Sequence, residues 1–289
     1  MALTPELLVG TTRAEFAKSS RWRLRLLVMQ FLATVPAALS VVVTDGTFVY
    51  MLGIVGPVLL LLWWLARARY RRLRSAAHSA RRAGLIIGGL GHALSPEENL
   101  RLHALFTAAA SDVQARMDAG YYATSAGTGP ARLAQMIEES ALHSKEVHRA
   151  SAMVMIGFFV LFVAVALAAA LIGLPYADRS TAVSTVRIVL AAAVFLLSSD
   201  VLGAMTEHLD AARGAEDVQA RMAAAYARGY PPGDVLAAMG DYNYAMEGAP
   251  EAIPGTYRVV SGRINRLWAE YSRERDARRL SSLGVGERP

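Results

Sequence analysis

The feature that most constrains this chain is an uninterrupted apolar stretch from Ala152 to Gly173, which reads AMVMIGFFVLFVAVALAAALIG. It contains no charged side chain, no amide and no proline. As a helix it is roughly 33 Å long, about the thickness of the hydrocarbon core of a bilayer. A helix that is apolar on every face is buried on all sides or lies in lipid. We therefore predict a transmembrane helix; the alternative is the central core helix of a soluble all-α domain.

Three further apolar runs favour the membrane interpretation: Leu26–Thr44, Thr47–Ala66 and Ile188–Leu202, the last limited by Arg187 and Asp200. The first run could be a signal peptide, but it is longer than a typical apolar signal region and another apolar run follows at once. Hydrophobic residues make up 54% of the chain and charged residues 19%, an apolar share above that of typical soluble domains. The sequence predicts an all-α integral membrane protein with four transmembrane helices.

Arginines set the predicted orientation. Five follow the second run directly: Arg67, Arg69, Arg71, Arg72 and Arg74. The loop at Asp45 carries no positive charge. By the positive-inside rule, the N-terminus and residues 67–150 are cytoplasmic, and four spans return the C-terminus to the same side. We expect both termini in the cytoplasm, with the arginines after the second run contacting lipid headgroups.

The predicted organisation has six segments. They are a cytoplasmic N-terminal segment (1–25), transmembrane helices 1 and 2 (26–66), a cytoplasmic helical region (67–150), transmembrane helices 3 and 4 (151–202), a cytoplasmic C-terminal helical region (203–280) and a disordered tail (281–289). Ser95-Pro96-Glu97-Glu98 has the cap, proline and acids typical of a helix start. No breaker follows over Asn99–Ala119, so we predict a continuous helix there. Together, 67–150 and 203–280 form the predicted cytoplasmic domain.

No catalytic motif is present: the sequence has no GxSxG, no P-loop and no GxGxxG after a strand. The chain has no cysteine, which excludes disulfides and thiolate metal sites. Glu139 and His143 share a helix face and could ligate a metal, but a solvated helix face is the favoured interpretation. We predict a protein that is not an enzyme and that has no cofactor or metal.

An acidic side chain at the end of the fourth run is the main candidate for a pore. Asp200 would be costly there unless it faces water or a partner. One interpretation is a ring of carboxylates that lines a cation pathway in an oligomer, with Ser199 and Gln30 on the same path. The alternative is that the span ends at Asp200, which then lies at the membrane interface.

Arginines and tyrosines of the cytoplasmic regions have the side chains that a nucleotide ligand needs, because guanidinium groups bind phosphate and tyrosine rings stack on bases. The candidates are Arg81, Arg82, Arg116, Tyr121, Tyr122, Arg221, Arg228 and Tyr230. Arg116 and Arg221 belong to two copies of the hexamer DVQARM, at 112–117 and 217–222. A solvated surface is the alternative for all of them.

The segment Gly240–Tyr271, GDYNYAMEGAPEAIPGTYRVVSGRINRLWAEY, resembles the SMODS-associating four-transmembrane (S-4TM) family. The similarity lies in four elements: Asp241-Tyr242-Asn243, Ala249-Pro250 with Ile253-Pro254, Tyr257, and Asn265 with Trp268. This chain departs from the family pattern in having Ile264 where leucine is expected and one extra residue between Pro250 and Ile253. Two spans, a helical middle region and two more spans extend the similarity over most of the chain.

The resemblance implies a pore-forming effector of a bacterial antiphage system, located in the inner membrane and encoded beside a nucleotidyltransferase. The chain is also similar to the channel of the Hailong defence system, which a nucleotidyltransferase controls through an oligonucleotide product. The expected partners are therefore further copies of the chain (a tetramer is one candidate), membrane lipids, and a cyclic nucleotide or a short single-stranded oligonucleotide. The alternatives are a non-enzymatic membrane scaffold or receptor subunit, then a transporter, and last a membrane enzyme.

Overall fold

The fold was analysed in a computed structural model, which describes residues 3–40, 43, 45–173, 176, 178–197 and 202–284. All regular structure in these residues is helical, which confirms the predicted all-α class. The helices are α1 (Pro5–Ser40), α2 (Gly46–Leu85), α3 (Pro96–Leu105), α4 (Ala110–Gln114), α5 (Pro130–Ala168), α6 (Arg179–Leu197), α7 (Ala204–Tyr226), α8 (Pro232–Gly248) and α9 (Thr256–Gly284). Single π-helical turns follow α2 (Ile86–Leu90) and α5 (Ala169–Gly173).

The two N-terminal helices form a long antiparallel hairpin. Pro36 of α1 lies beside Gly56 of α2, and Leu8 lies beside Gly84, so the start of α1 meets the end of α2. Asp45 begins α2 by accepting a hydrogen bond from the backbone N–H of Phe48 at 2.8 Å, as an N-cap does. One end of this hairpin lies in the packed core with other helices, whereas most apolar side chains at the other end are exposed, although α1 also contacts α6.

The packed part of the molecule is called the helical body below, and comprises residues 3–26, 66–152 and 202–278. Its main core is built from the end of α2, the first half of α5, α7 and α8, with Leu85, Leu133, Ile137, Met222 and Tyr242 almost fully buried. A smaller cluster joins the start of α1 to α2 and α3 through Leu3, Leu8 and Leu102. The sequence buries small residues here, since Ala76, Ala77 and Ala80 have no exposed surface, and small side chains let helices approach closely.

Outside the helical body, most large apolar side chains of α1, α2 and α5 are exposed to solvent, and these three stretches are called the bare segments below. Most of these residues follow Leu26 in α1, precede Ala66 in α2 and follow Ala152 in α5, and they include Phe158 (66% exposed) and Trp64 (56% exposed). Two helical stretches, Gly46–Leu90 and Pro130–Ile172, are long and apolar enough to cross a membrane. The predicted first and fourth spans fall in α1 and in α6 with the residues after it.

One helix prediction is confirmed and another is wrong. Ser95 caps α3 by accepting the N–H of Glu98 at 3.2 Å. The predicted continuous helix Asn99–Ala119 ends at Leu105, because Glu15 of α1 accepts the backbone N–H groups of Thr107 and Ala108. Those N–H groups are then unavailable to the helix. At the other end of the chain, α9 extends to Gly284, four residues into the predicted disordered tail; residues 285–289 lie outside the described part.

Candidate functional site

A cavity of about 700 Å³ opens at one side of the helical body, within the size range of about 300–1,000 Å³ typical of small-molecule sites. Its walls come from the first half of α1, the end of α2, the segment 116–123, α5, α8 and α9. The polar and aromatic side chains among its lining residues are Thr12, Arg13, Phe16, Arg81, Arg116, Tyr121, Tyr122, Glu139, Ser140, His143, Ser144, Tyr242, Tyr257, Asn265 and Trp268. It is called the body cavity below.

The segment 116–123 is held over the body cavity by contacts with α1 and α5. Arg13 donates a hydrogen bond from Nη1 to the carbonyl of Arg116 at 3.2 Å. The N–H of Ala123 donates to the carboxylate of Glu139 at 2.9 Å. Gly10 lets α1 approach α4 closely, since a Cβ atom there would lie 2.6 Å from the carbonyl oxygen of Val113. Long-range contacts therefore position this loop.

Three guanidinium groups give the body cavity its charge: Arg13, Arg81 and Arg116. Arg81 is half-buried and its guanidinium lies 5.0 Å from the ring centroid of Tyr242, a cation–π distance. Its Nε and Nη2 atoms have no hydrogen-bond partner in the described part of the chain. Because buried donors without a partner are costly, Arg81 presents two hydrogen-bond donors for an anion.

Aromatic rings surround these cations. Tyr121 and Tyr122 meet edge to face with centroids 4.8 Å apart, and Trp268 stacks on Tyr271 at 5.9 Å. Tyr242 is 1% exposed, and its hydroxyl lies 2.9 Å from that of Ser144. Tyr257, in contrast, is 55% exposed. Exposed π faces beside guanidinium groups can stack on bases while the cations bind phosphate.

Acidic groups offset part of the positive charge of the cavity, because Arg13 pairs with Asp118 at 3.8 Å and Arg116 pairs with Asp112 at 3.7 Å. Burial raises the pKa of Glu139 above its ordinary value, because burial disfavours the charged form of a carboxyl group. His143 makes a 2.9 Å hydrogen bond through Nδ1 to the carbonyl of Glu139. In the described residues, no group of three or more histidine, aspartate or glutamate side chains is arranged to hold a metal ion.

Four of the predicted nucleotide-binding residues line the body cavity, namely Arg81, Arg116, Tyr121 and Tyr122. The other four do not, and each has another environment. Arg82 pairs with Glu247 at 2.8 Å, Arg228 pairs with Asp234 at 2.7 Å, and Arg221 pairs with Asp241. Tyr230 is 6% exposed, with its ring 5.9 Å from that of Tyr226.

The cavity also contains residues that the initial prediction of the site did not include. Tyr242, Tyr257, Asn265 and Trp268 all belong to the motif elements of Gly240–Tyr271. These residues lie on two helices and form one wall of the cavity. Their shared membership of the motif was the only feature of the sequence that could have grouped them. Arg13 had no such indication: it comes from α1, far away in sequence.

The loop between α8 and α9, residues 249–255, connects the cavity wall to the helices that carry the bare apolar segments. Ser19 of α1 donates to the carboxyl group of Glu251 at 2.8 Å, and the N–H of Ile253 donates to Ser151 of α5 at 3.2 Å. Arg74 of α2 donates from Nη2 to the carbonyls of Met246 and Glu247 at the end of α8. Burial raises the pKa of Glu251 to about 7. This segment is called the junction loop below.

A second cavity of about 300 Å³ lies beside the junction loop, and is called the junction cavity. Gln30, one of the predicted pore-lining residues, is part of its lining together with Arg23, Trp63 and Arg67. Gln30 thus lies near the boundary of the helical body. The other two predicted pore-lining residues, Ser199 and Asp200, are outside the described residues.

No protein-family model, no curated protein and no solved structure matches the chain. The resemblance to the S-4TM family therefore rests on the motif residues of Gly240–Tyr271.

Proposed function

We propose that this chain is a homo-oligomeric channel of the bacterial inner membrane, a pore-forming antiphage effector controlled by a nucleotide or oligonucleotide bound on its cytoplasmic side. The body cavity carries this proposal. It combines Arg13, Arg81 and Arg116 with exposed aromatic faces, which is the chemistry required for phosphate and base. The resemblance of Gly240–Tyr271 to the S-4TM family favours a signal made by a partner nucleotidyltransferase.

The junction loop couples the body cavity to the bare segments. Its two ends are attached to the helices that carry Tyr242 and Tyr257 in the cavity wall, and its middle is bonded to Ser19 of α1 and Ser151 of α5. A ligand shifts a conformational equilibrium only if it binds the two states with different affinity. A shift of α8 or α9 on binding would therefore be transmitted directly to the bases of two bare apolar segments.

The path of the chain supports four spans. The helical body contains the start of α1, the end of α2, the start of α5 and α7, so it lies at one end of both apolar stretches. Leu26 and Ala204 line the junction cavity, whereas Gly46 and Ile172 lie at the far ends of the two apolar stretches. If α2 and α5 cross the bilayer, residues 27–45 and 173–203 must cross back. The 19 residues of α6, about 28 Å of helix, suffice for this.

The composition of the bare segments supports a homo-oligomer. They expose apolar residues on all faces, with few polar groups, and such helices cannot enclose a hydrated path within one chain. Several copies could bring Gln30, Ser199 and Asp200 together around an axis. The oligomer is proposed to open or close a path whose state sets the membrane potential of the infected cell.

Ion flux through reconstituted liposomes tests the channel. We expect the purified protein to release an ion gradient in one ligand state and to retain it in the other. Asp200→Ala and Gln30→Ala should alter the conductance while leaving assembly unchanged. Liposomes that stay sealed with every ligand tested would reject the channel and favour the non-enzymatic membrane scaffold or receptor subunit.

The ligand site has a matched pair of variants, because Arg116 and Arg221 occupy the same position in two copies of DVQARM. Arg116→Glu should weaken binding of cyclic dinucleotides or short single-stranded oligonucleotides by about tenfold or more, the effect of losing one charge-assisted hydrogen bond. Arg221→Glu should leave the affinity unchanged, since Arg221 pairs with Asp241 outside the cavity. Isothermal titration calorimetry measures both. Equal losses of affinity would contradict the site.

A further inference from the structure

The junction cavity gathers arginines from two helices at the level where the bare segments begin. Arg23 comes from α1, and Arg67, Arg71 and Arg74 come from successive turns of α2. One acidic side chain, Glu207 of α7, also lines it. The cavity therefore carries an excess of positive charge beside an apolar surface.

Arg23 shows that this cluster has unused binding capacity. It is only 6% exposed, and its Nη1 atom has no hydrogen-bond partner in the described part of the chain. Burial lowers the pKa of Arg23, as expected when a cation loses its hydration. The Nε atom of Arg74 is likewise buried and without a partner in the described residues. The carboxyl groups of Glu251 and Glu207 offset part of the cost of burying Arg23, and a further anion would complete its hydrogen bonds.

The apolar part of the lining indicates where that anion comes from. Leu27 and Trp63 line the cavity on the side of the bare segments, and the guanidinium of Arg67 lies 5.0 Å from the ring of Trp63. A tryptophan paired with an arginine at the end of an apolar helix is typical of the headgroup level of a membrane. A free phosphate would contact the arginines but not the apolar surface, whereas a phospholipid would contact both.

We infer that the junction cavity binds the phosphodiester headgroup of an anionic phospholipid, with Arg23, Arg67, Arg71 and Arg74 around the phosphate and the acyl chains along Leu27 and Trp63. The inference rests on the membrane insertion in the proposed function and is independent of ion conduction. The same cavity is bordered by Pro250 of the junction loop and by Ala204 of α7. A bound lipid would thus contact the elements that connect the body cavity to the spans.

Native mass spectrometry of the detergent-solubilised protein tests this site with phosphatidylglycerol as the probe. Arg71→Gln should weaken phosphatidylglycerol binding by about tenfold. The matched control is Arg72→Gln, which removes the same charge from the adjacent position of α2, also exposed but outside the cavity; less than a twofold change is expected. Arg23→Gln should act like Arg71→Gln in protein whose circular dichroism matches that of the wild type.

Other outcomes would overturn the site. Equal effects of Arg71→Gln and Arg72→Gln would indicate non-specific attraction by a basic surface. Zwitterionic phosphatidylcholine that binds as tightly as phosphatidylglycerol would contradict an anionic ligand, and inorganic phosphate that displaces the lipid at similar concentration would identify a free anion as the ligand. Sealed liposomes together with a difference between Arg71 and Arg72 would retain the lipid site and reject the channel.

Discussion

Glu138 lies on α5 with 1% of its surface exposed, and two side chains of α9 reach it. Arg275 forms an ion pair with its carboxylate at 3.1 Å, and the hydroxyl of Tyr271 donates a hydrogen bond to the other carboxylate oxygen. The guanidinium of Arg275 also lies 5.4 Å from the ring of Trp268, a residue of the body cavity. This buried pair therefore holds the α9 wall of the cavity against α5.

Glu138→Ala is expected to destabilise the helical body by about 1–3 kcal/mol, because the Tyr271 hydroxyl and one N–H of Arg275 lose their acceptor, while Arg275 keeps its ion pair with Asp276 at 3.0 Å. Glu274→Ala provides the control, since Glu274 pairs with Arg278 where both side chains are mostly exposed; its effect should stay within about 0.5 kcal/mol. Chemical unfolding in detergent, followed by tryptophan fluorescence, measures both. Similar losses in the two variants would show that the Glu138 pair has no special role.

Two histidines make the packing of α5 on α7 sensitive to pH. The Nδ1 atoms of His148 and His208 lie 2.8 Å apart, so one neutral ring donates and the other accepts. Burial lowers the pKa of His148 to about 4 and also lowers that of His208. Both folded values lie below the unfolded value of 6.5. The stabilising contribution is therefore fully present above pH 6.5 and is lost as the pH falls from 6.5 towards 4.

We expect the melting temperature to fall on acidification between pH 6.5 and pH 4.5, and the double variant His148→Gln/His208→Gln to reduce that dependence. Glu251 acts in the opposite direction: its pKa is raised to about 7, so its contribution is lost as the pH rises from 4.5 through 7. Glu251→Gln should therefore flatten the profile on the neutral side. A wild-type acid slope that persists unchanged in the histidine double variant would exclude the pair as its source.

Residue types alone could not separate the site arginines from the others. Arg116 and Arg221 have identical neighbours over six residues, and each pairs with an aspartate, Asp112 and Asp241 respectively. Only Arg116 lines the body cavity. The difference is tertiary: 112–117 covers the end of α4 and the turn after it, whereas 217–222 lies within α7. The sequence indicated arginines and tyrosines as candidates for a binding site, and tertiary packing determines which of them line the body cavity.

At the scale of elements, disrupting the junction loop should reduce the conductance response to the ligand without reducing the affinity for the ligand. Ser151→Ala removes the acceptor of the Ile253 N–H, and a buried donor left without a partner costs about 1–3 kcal/mol. We expect nucleotide affinity to change less than twofold while the ligand-dependent change in liposome conductance is reduced. Ser261→Ala is the control, because its hydroxyl bonds within α9 to the carbonyl of Arg258. Affinity that falls in parallel with the conductance response would contradict a coupling role.

Elements determined by local chemistry could be predicted, and those determined by distant contacts could not. The start of α3 follows from Ser95 and Pro96, and the break before α8 from Gly229 and Pro231; the residues at 229 and 230 have positive φ angles of 71° and 57°. The end of α3 at Leu105, in contrast, depends on Glu15 of α1. A carboxylate that is distant in sequence competes for backbone N–H groups, and no periodicity within 99–119 reveals it.

At the scale of the whole molecule, the path of the chain is more informative than the hydropathy of any single helix. α1 packs along α2, and α7 packs against the first half of α5. The start of α1, the end of α2, the start of α5 and α7 therefore all lie in the same helical body. Two helical stretches satisfy a strict length and composition test. The other two spans are inferred from the need to bring the chain back.

The absence of cysteine from the chain makes single-cysteine accessibility a direct test of four spans. Gly46→Cys and Tyr176→Cys lie at the ends of the bare segments far from the body, Tyr176 being 89% exposed. Leu100→Cys and Val259→Cys lie on the body, at 73% and 84% exposure. A membrane-impermeant maleimide applied to intact spheroplasts should label the first pair, and should label the second pair only after lysis.

Labelling of Val259→Cys without lysis, with Leu100→Cys protected, would mean that the chain crosses an odd number of times between them. The helical body would then have to be split across the bilayer, which its continuous core between α5 and α7 does not allow, so the membrane arrangement itself would be rejected.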